Sequence, residues 1–467
     1  MCLTKTLPGT LRHNTRWLLG LAGLAIVTLS LGTDIDAAGT RHAITSSPDS
    51  GGAAQVAIVV RARRPEDLEH LAAHAERLGF TVTSREDLLP ALRLAPPAGV
   101  SLADAVTAFR SQPGVLYAEP LYRTLHIADV PAAPLYRQEA PYLSVEHAPA
   151  AWDIERGQPR VIVAVLDTGV DLSHPDLQGR IWINPREIPN NGADDGANGC
   201  VDDVHGCAFV NEPSLGCASA RNGDVHDDNG HGTFVAGVIA ANGQGMVGVA
   251  RGVTILPVKV LDCKGVGDSL DFAEGIIYAA RAGAQILNVS LDGPTDSAIM
   301  REAVRIAHDE FGALVVAAAG NTGTNDIAFP AAYPGVLAVG AASGPDPTKR
   351  ASFSSYGANV SVAAIGEGIV GTVPKASCVV FLPCIDGGPY AQGSGTSFSA
   401  PQVAGLAALM LSHRPALTAD AIVSIIKETA SPEPAGSTPG WAGAGLINMV
   451  SALTPKYGLG VPGVAKN

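Results

Sequence analysis

The feature that most constrains this chain is a series of short, unbroken apolar runs separated by segments of helical character. The runs are VIVAVLD (161–167), ILPVKVL (255–261), AQILNVSL (284–291), ALVVAAAG (313–320) and VLAVGAA (336–342). A strand that is apolar at nearly every position is buried on both faces, which is typical of parallel strands covered by helices. Between the runs, HGTFVAGVIAA (231–241) and SLDFAEGIIYAARAG (269–283) indicate such helices. We therefore predict an α/β fold with a doubly wound, mostly parallel sheet over residues 142–455.

Composition excludes several classes of function. The chain has 467 residues, of which 46% are hydrophobic and 16% are charged, so it can bury a large core and is not a disordered protein. Its net charge is −13 and it contains no basic run, so the electrostatic basis for binding nucleic acid is missing. We expect a substrate that is a protein or a small molecule.

The first 38 residues have the layout of a secretory signal peptide. A basic start leads into the apolar stretch WLLGLAGLAIVTLSLG (17–32), and small residues follow at Ala37 and Ala38. An uncleaved membrane anchor is the alternative, but this stretch is shorter than the ~20 residues that a helix needs to cross a bilayer. No later segment is long and apolar enough to span a membrane. We therefore predict a secreted protein, extracellular or periplasmic, with no membrane contact after cleavage.

Six of the seven cysteines lie beyond the signal region, and an even number in an exported protein indicates disulfides. Six cysteines allow 15 connectivities. Local loop geometry favours pairing neighbours, which gives Cys200 with Cys207, Cys378 with Cys384 and, from what remains, Cys217 with Cys263. Zinc binding is the weaker alternative, because no CxxC or HxxxH spacing accompanies these residues.

A Gly/Ser/Ala-rich linker at 39–54 precedes a segment of different character at 55–127. Its patterning predicts strand, helix, strand, strand, helix and strand. The elements are QVAIVVRA, PEDLEHLAAHAERLG, FTVTS, ALRLAP, SLADAVTAFRSQ and VLYAEPLYR. This order is the split β-α-β-β-α-β unit of ferredoxin-like folds, so we expect a small α+β domain. A proline-bearing linker at 128–141 follows it, and a tail at 456–467 ends the chain.

Three short motifs carry the residue types of a nucleophilic catalytic set. Asp167 ends the run VIVAVLD, His231 lies in NGHGT, and Ser397 lies in GTSFSAP. A serine hydroxyl needs a neighbouring imidazole to take its proton, and the imidazole needs a carboxylate to fix its tautomer and stabilise its charged form. Taken singly, each residue also has a common structural role, such as helix capping or packing.

These motifs, in the chain order Asp, His, Ser, resemble those of the subtilases, the subtilisin-like serine proteases. The resemblance covers about residues 140–455 and implies a serine endopeptidase whose chemistry requires no cofactor. It implies that Asp167 orients His231, that His231 deprotonates Ser397, and that Asn321 forms the oxyanion hole with the Ser397 main-chain N–H. A catalytically silent, peptide-binding relative is the alternative, and the intact motifs argue against it.

The resemblance also indicates where a substrate binds. In this family the peptide adds as a strand between two edges. The edges and the floor of the first specificity pocket correspond here to Ser290, Leu291 and Asp292, to Gly265 and Gly267, and to Ala318 and Gly320. Family members usually carry glycine at the position of Asp292. Either its carboxylate favours a basic substrate residue nearby, or it is an ordinary solvated aspartate.

Two aromatic residues depart from the family pattern near the catalytic motifs. A methionine usually follows the nucleophile and is the oxidation-sensitive residue, but Phe398 stands there in this chain. This predicts that activity is relatively tolerant of peroxide. Phe234 stands where subtilases often have another histidine, a change expected to affect packing and not the catalytic base.

Subtilases often bind structural calcium at an aspartate shortly after the triad aspartate and at a loop after the histidine helix. Asp176 and Asn242 match these positions in kind, although the loop AANGQGMVGVA is shorter than in subtilisin. A second candidate is the insertion NNGADDGANGCVDDVHG (190–206), because clustered oxygen ligands suit a hard cation. Its candidate ligands are Asp194, Asp195, Asn198, Asp202 and Asp203. The alternative for the insertion is a solvated acidic loop pinned by a disulfide.

Residues 55–127 resemble, more weakly, the inhibitory propeptide of subtilases, including GVLYAEP near their end. The resemblance implies a zymogen whose propeptide assists folding and acts as an intramolecular inhibitor until the linker at 128–141 is cut. A stand-alone ferredoxin-like domain is the alternative. The position of residues 55–127 immediately before the predicted protease domain decides against that alternative. We expect polypeptide substrates, a monomer, and no nucleic-acid partner.

Overall fold

A computed structural model describes residues 57–86, 90–120, 133–211, 213–293, 295–375, 384–433 and 440–455. The predicted signal peptide, the linker at 39–54 and the tail at 456–467 lie outside these residues. The described residues fall into two compact units, one before and one after the boundary between residues 125 and 126.

The first unit is an antiparallel sheet with two helices. Its elements are β1 (Ile58–Ala62), α1 (Asp67–Arg77), β2 (Thr81–Glu86), β3 (Ala91–Ala95), α2 (Leu102–Arg110) and β4 (Val115–Pro120). The strands lie in the order β2-β3-β1-β4. Their apolar side chains form a separate core that includes Leu71 and Phe109. The structure thus has the predicted β-α-β-β-α-β order, because each element buries one apolar face against the others.

The second unit contains a parallel sheet of seven strands in the order β11-β10-β9-β8-β5-β7-β6. The strands are β5 (Ile162–Asp167), β6 (Cys207–Ala208), β7 (Thr254–Lys259), β8 (Ile286–Val289), β9 (Leu314–Ala318), β10 (Val336–Ala342) and β11 (Val362–Ile365). A separate antiparallel pair is formed by β12 (Ile369–Thr372) and β13 (Tyr390–Gly393). All five predicted apolar runs form strands of the parallel sheet, which confirms the predicted fold class.

Helices cover both faces of this sheet. They are α3 (Tyr136–Val145), α4 (Ala148–Trp152), α5 (His231–Ala240), α6 (Ser269–Arg281), α7 (Ala298–Asp309), α8 (Thr396–His413), α9 (Ala419–Thr429) and α10 (Met449–Leu453). α5 and α8 contribute to the core on one face, and α6 and α7 to the core on the other. Among the described residues, no helix is long and apolar enough to cross a membrane.

The central strand β5 explains why the sequence runs are apolar throughout. Val163 and Val165 belong to one core, whereas Ala164 and Leu166 belong to the other. Because successive side chains of a strand point to opposite faces, two covered faces favour apolar residues at nearly every position.

The sheet order places a crevice at the carboxyl end of β5. The next two long strands along the chain, β7 and β8, lie on opposite sides of β5. The helices that lead into them, α5 and α6, lie on opposite faces of the sheet. Such a reversal separates the loops that follow neighbouring strands, and ligand sites of open α/β sheets form at this point.

Two predictions about chain segments have a clear outcome. Helix α3 begins at Tyr136, inside the predicted linker at 128–141, and there the buried Glu139 accepts a hydrogen bond from the Val247 main-chain N–H at 3.1 Å. The disulfides are Cys200–Cys207 and Cys217–Cys263, as predicted. Cys384 is also disulfide-bonded, and its predicted partner Cys378 lies outside the described residues.

Candidate active site

Asp167 ends the central strand β5, and its side chain is fully buried. The chain turns immediately after it, at Gly169, which has a φ of +106°. A Cβ at Gly169 would lie 2.5 Å from the carbonyl oxygen of Val225, so the turn requires glycine. The main-chain N–H of Thr168 donates to Asp167 Oδ1 at 2.8 Å. The carboxylate is therefore held in one orientation at the carboxyl end of the central strand.

His231 is the first residue of α5, and its Nδ1 lies 2.8 Å from Oδ1 and 2.9 Å from Oδ2 of Asp167. This approach requires Gly232, where a Cβ would lie 2.1 Å from the carbonyl oxygen of Gly169. Burial disfavours the imidazolium, but the Asp167 carboxylate and the charge of Asp227 outweigh that effect and raise the pKa of His231. With Nδ1–H donating to the carboxylate, Nε2 is left as the acceptor.

Asp227 is a functional residue that the motif-based reasoning missed. Its buried carboxylate accepts hydrogen bonds from the Thr168 hydroxyl, the N–H groups of Asn229 and Gly230, and the N–H and hydroxyl of Thr233. It thus ties the turn after Asp167 to the first turn of α5, where a negative charge is also favourable. The sequence signal was an acidic residue just before a helix start, in DDNGHGT.

Ser397 lies in the first turn of α8, where main-chain N–H groups lack partners within the helix. Its carbonyl oxygen accepts a hydrogen bond from Ser290 Oγ at 2.8 Å, and that hydroxyl accepts one from Asn288 at 2.9 Å. The helix start is therefore anchored to the end of β8. The ring centroid of the next residue, Phe398, lies 5.5 Å from that of His231. The fold thus brings the segment with Ser397 against His231.

Asn321 follows β9 and faces the start of α8. Its Oδ1 accepts hydrogen bonds from the main-chain N–H of Thr396 at 2.8 Å and from the Thr396 hydroxyl at 3.0 Å. Because Oδ1 accepts both of these hydrogen bonds, the orientation of the amide is fixed. The amide Nδ2 is then the side-chain group that can donate a further hydrogen bond. Asn321 contacts Thr396, the residue before Ser397, so Nδ2 lies close to the nucleophile.

The two aromatic departures from the family pattern pack on each other. The ring centroids of Phe398 and Phe234 lie 4.1 Å apart, and both side chains are buried. A Cβ at Gly371 would lie 2.3 Å from the Phe234 ring, so glycine makes the space for it. His231, Phe398 and Phe234 form a column of rings in which Phe398 lies in the middle.

A cavity of about 450 Å³ lies beside His231. Its lining includes the predicted substrate-binding residues Gly265, Gly267, Ser290, Leu291 and Asp292. Ala318 and Gly320 lie outside that lining, at the end of β9, where the Gly320 N–H donates to the Thr396 hydroxyl at 3.2 Å. A larger cavity of about 860 Å³ lies against α6 and α7 and contains no member of the predicted triad.

The predicted calcium ligands Asp176 and Asn242 are occupied by N–H contacts. The buried carboxylate of Asp176 accepts hydrogen bonds from the main-chain N–H groups of Gln244, Gly245 and Met246, at 2.6, 3.0 and 2.9 Å. The Asn242 amide donates to the carbonyl oxygen of Pro175 at 3.1 Å. N–H donors engage the Asp176 carboxylate, and no orphaned oxygen accompanies it among the described residues, so the structure gives this pair no feature that points to calcium.

The acidic insertion has a different arrangement. Asp194, Asp195 and Asp202 accept hydrogen bonds within the loop, and Asn198 donates to the buried Asp203 at 2.7 Å. In the part of the chain that the structure describes, no three His, Cys, Asp or Glu side chains converge as metal ligands. Calcium, however, also takes amide and carbonyl oxygens, so carboxylates and asparagines together can supply a ligand set.

Glu187 adds a carboxylate to the insertion that the sequence reasoning missed. It is buried, and its Oε2 has no hydrogen-bond donor among the described residues. Burial and the neighbouring Asp203 carboxylate raise the pKa of Glu187. An unsatisfied buried oxygen beside a second carboxylate fits a bound cation.

Comparisons with known proteins agree with this geometry. A sequence profile described as the Subtilase family matches residues 158–454. The "Thermophilic serine proteinase" of Bacillus sp. (strain AK1) is 34% identical, and the match covers 79% of this chain and 81% of that protein. Thermitase of Thermoactinomyces vulgaris is 36% identical, with coverages of 66% and 92%.

Among solved structures, a protease from Pseudoalteromonas arctica PAMC 21717 superimposes with a TM-score of 0.56 at 29% identity. The match covers 70% of this chain and 99% of that protein. The family match, the relatives and the fold agree, and the chain therefore belongs to the subtilase family and is a subtilisin-like serine endopeptidase.

Proposed function

We propose that the enzyme cleaves peptide bonds through an acyl-enzyme intermediate formed on Ser397. The observation that carries this proposal is the pair of contacts between His231 Nδ1 and the Asp167 carboxylate, at 2.8 and 2.9 Å. His231 Nε2 takes the Ser397 proton as Oγ attacks the substrate carbonyl carbon, and Asp167 stabilises the imidazolium. The imidazolium then protonates the leaving amine. In the second half of the reaction, His231 takes a proton from a water molecule that attacks the acyl-enzyme, and the acid product and free Ser397 are released.

The negative oxygen of the tetrahedral intermediate is held by Asn321 Nδ2 and the Ser397 main-chain N–H. The engaged Oδ1 of Asn321 supports this role, because it leaves Nδ2 as the free donor. The helix start at α8 adds a favourable dipole.

Asn321→Ala is expected to lower kcat about 10²- to 10³-fold, because one donor to the developing oxyanion is lost. KM should change little and the unfolding temperature should fall by only a few degrees, since the two hydrogen bonds that Oδ1 accepts contribute about 1 kcal/mol each. Asn325→Ala, which removes an exposed asparagine four residues away, is the matched control and should keep full activity. A kcat within threefold of the unaltered enzyme would contradict the oxyanion role.

We also propose that the enzyme is secreted as a zymogen and acts outside the cytoplasm as a monomer. Residues 55–127 serve as an inhibitory propeptide, and the chain is cut within the linker that follows. The compact first unit, with its own core and its position before the protease, supports this assignment.

The experiment that tests the proposed function is expression of the unaltered precursor. It should cut itself between about residues 125 and 140, and a serine-directed fluorophosphonate should label the mature form at Ser397. N-terminal sequencing locates the cut, and peptide mass spectrometry locates the label. A precursor that stays uncut and unlabelled is the outcome expected of a catalytically silent peptide-binding relative.

The packing of Phe398 against His231 leads to a prediction about oxidation. The unaltered enzyme should keep its activity in dilute peroxide, whereas Phe398→Met should lose it, because a sulfoxide would form beside the nucleophile. Residual activity against time in peroxide measures the effect, and mass spectrometry identifies the oxidised residue. Rapid inactivation of the unaltered enzyme would refute the prediction.

We propose that the acidic insertion binds a structural calcium ion at Glu187 Oε2, with Asp194, Asp195, Asn198, Asp202 and Asp203 as further ligands. The Asp203 oxygens accept hydrogen bonds from Asn184, Asn198 and Tyr278, and the ion would replace these donors. The buried, unpartnered Oε2 of Glu187 supports this proposal. When bound, the ion would neutralise the clustered carboxylates and stiffen the loop that the Cys200–Cys207 disulfide closes. It takes no part in peptide hydrolysis.

Removal of calcium is expected to lower the unfolding temperature by about 5 °C or more. A ligand at 100 times its Kd stabilises a protein by about 2.7 kcal/mol, which corresponds to a shift of that size. Thermal unfolding of a Ser397→Ala protein in calcium or in chelator measures it without self-digestion. Glu187→Gln should abolish the shift, whereas Asp176→Asn should retain it. Identical unfolding with calcium and with chelator would contradict the proposal.

A further inference from the structure

Asp292 lies against the oxyanion side of the site. Burial raises the pKa of its carboxylate, and the nearby main-chain N–H of Asn321 opposes that effect. A Cβ on Gly320 would lie 3.1 Å from Asp292 Oδ2, 3.1 Å from Ser355 Oγ and 3.3 Å from the Cβ of Ala328. The carboxylate therefore reaches across from the segment after β8 to the segment after β9, one residue from Asn321.

The surroundings of this carboxylate are small and neutral. Gly293 and Phe329 exchange main-chain hydrogen bonds of 2.9 and 3.0 Å, and the Ala328 N–H donates to the Ala319 carbonyl at 3.0 Å. These bonds join the segments after β8 and β9 through a floor at 328–329. Gly320, Ala328 and Ser355 therefore border a small space, called the slot below, in which Asp292 carries the charge.

No described cation neutralises Asp292. None of the ion pairs formed by the described residues includes it. Lys264 lines the same cavity, but its Nζ donates to the carbonyl oxygen of Leu215 at 2.8 Å. Asp292 is also exposed, so a substrate side chain can reach it. A partly desolvated anion without a counterion gains stabilisation from an incoming cation.

The proposed reaction determines which substrate side chain meets Asp292. The carbonyl carbon under attack lies at Ser397 Oγ, and its oxygen points to Asn321. The side chain of the residue that supplies this carbonyl branches one atom away from that carbon. It is therefore the substrate side chain that lies nearest to Asn321 and to the slot beside it.

We propose that Asp292 makes this endopeptidase prefer arginine or lysine on the acyl side of the cleaved bond. This inference rests on the proposed function, since it takes the position of the carbonyl from the roles of Ser397 and Asn321. A guanidinium forms a charge-assisted and often bidentate hydrogen bond with a carboxylate, so arginine should be the better of the two.

The test uses the processed enzyme and chromogenic peptides that differ only in the residue before the cleaved bond: arginine, lysine, citrulline, leucine or phenylalanine. Citrulline has nearly the shape of arginine without its charge. We expect kcat/KM for arginine to exceed that for citrulline at least tenfold. Asp292→Asn should lower kcat/KM for the arginine peptide more than for the leucine peptide and reduce the ratio of arginine to citrulline to about one. Asp292→Gly, the residue usual in the family, should do the same and serves as a second variant.

Asp268→Asn is the matched control, because Asp268 lines the same cavity and asparagine preserves its role as the cap of α6. It should retain the preference for arginine. The inference is overturned if the unaltered enzyme cleaves citrulline as fast as arginine, or if the arginine preference survives in both Asp292 variants. Failure of the proposed function looks different: no peptide is cleaved and Ser397 does not react with the fluorophosphonate.

Discussion

Ser397→Ala is expected to lower kcat for peptide hydrolysis about 10⁶-fold and to leave the precursor uncut. The variant lacks the oxygen that forms the acyl-enzyme, and loss of a triad serine has an effect of this order. A residual rate about 10³- to 10⁴-fold above that of water should remain, because substrate binding and the oxyanion donors persist. The Ser397 carbonyl that accepts from Ser290 is retained, so the fold should be unaffected.

The matched control is Ser399→Ala, two residues further along α8. Ser399 is buried, and its hydroxyl donates to the carbonyl oxygen of Ile365 at 3.3 Å, away from His231. This variant should mature and hydrolyse peptides at nearly the normal rate. Chromogenic peptide assays and gel analysis of the precursor measure both effects. Self-cleavage by Ser397→Ala in a preparation free of other proteases would exclude Ser397 as the nucleophile.

Asp167→Asn is expected to lower kcat about 10⁴-fold while the fold is kept. The amide has the shape of the carboxylate, but its NH₂ group cannot accept the Nδ1 proton, so His231 adopts the wrong tautomer. The change also acts on the pKa of His231, which the Asp167 charge raises. Without that charge the imidazole protonates only at lower pH. Because the base must be neutral, the acid limb of the residual activity should move to lower pH.

The measurement is kcat/KM against pH for the unaltered enzyme and the variant. Asp171→Asn is the control, since among the described residues the Asp171 carboxylate accepts hydrogen bonds only from the N–H and hydroxyl of the nearby Ser173. Its profile should match that of the unaltered enzyme. An acid limb that does not move in Asp167→Asn would show that Asp167 does not set the protonation of His231.

The fold class was predictable because burial on both faces of a sheet leaves a local signature. β5 has to be apolar up to its terminal Asp167, since Val163 and Leu166 face different cores. The Cys200–Cys207 disulfide also followed from its short loop, and Cys217–Cys263 from the cysteines that remained. The start of the second unit was harder to place: α3 lies in a segment that reads as a linker, and the contact that orders it comes from Val247, far along the chain.

The residues of the candidate site also divide into those that the local sequence marks and those that only the fold reveals. Asp167, His231 and Ser397 were found because glycine, threonine and proline neighbours mark them, and the structure explains two of those glycines by contacts shorter than a Cβ would allow. Asp227 and Glu187 were missed because an acidic residue in a polar loop looks solvated. Both are buried in the folded chain: Asp227 accepts a hydrogen bond from Thr168 in another segment, and Glu187 lies beside the Asp203 carboxylate.

The sequence by itself therefore determined the parallel sheet, the three candidate catalytic motifs and their order, since each depends on residues adjacent in the chain. Only the tertiary structure decided which oxygens are free. It showed N–H donors on Asp176, an orphaned oxygen on Glu187, and the carboxylate of Asp292 beside Asn321. The physical reason is that the availability of a polar atom depends on every segment packed around it, and those segments meet only in the folded chain.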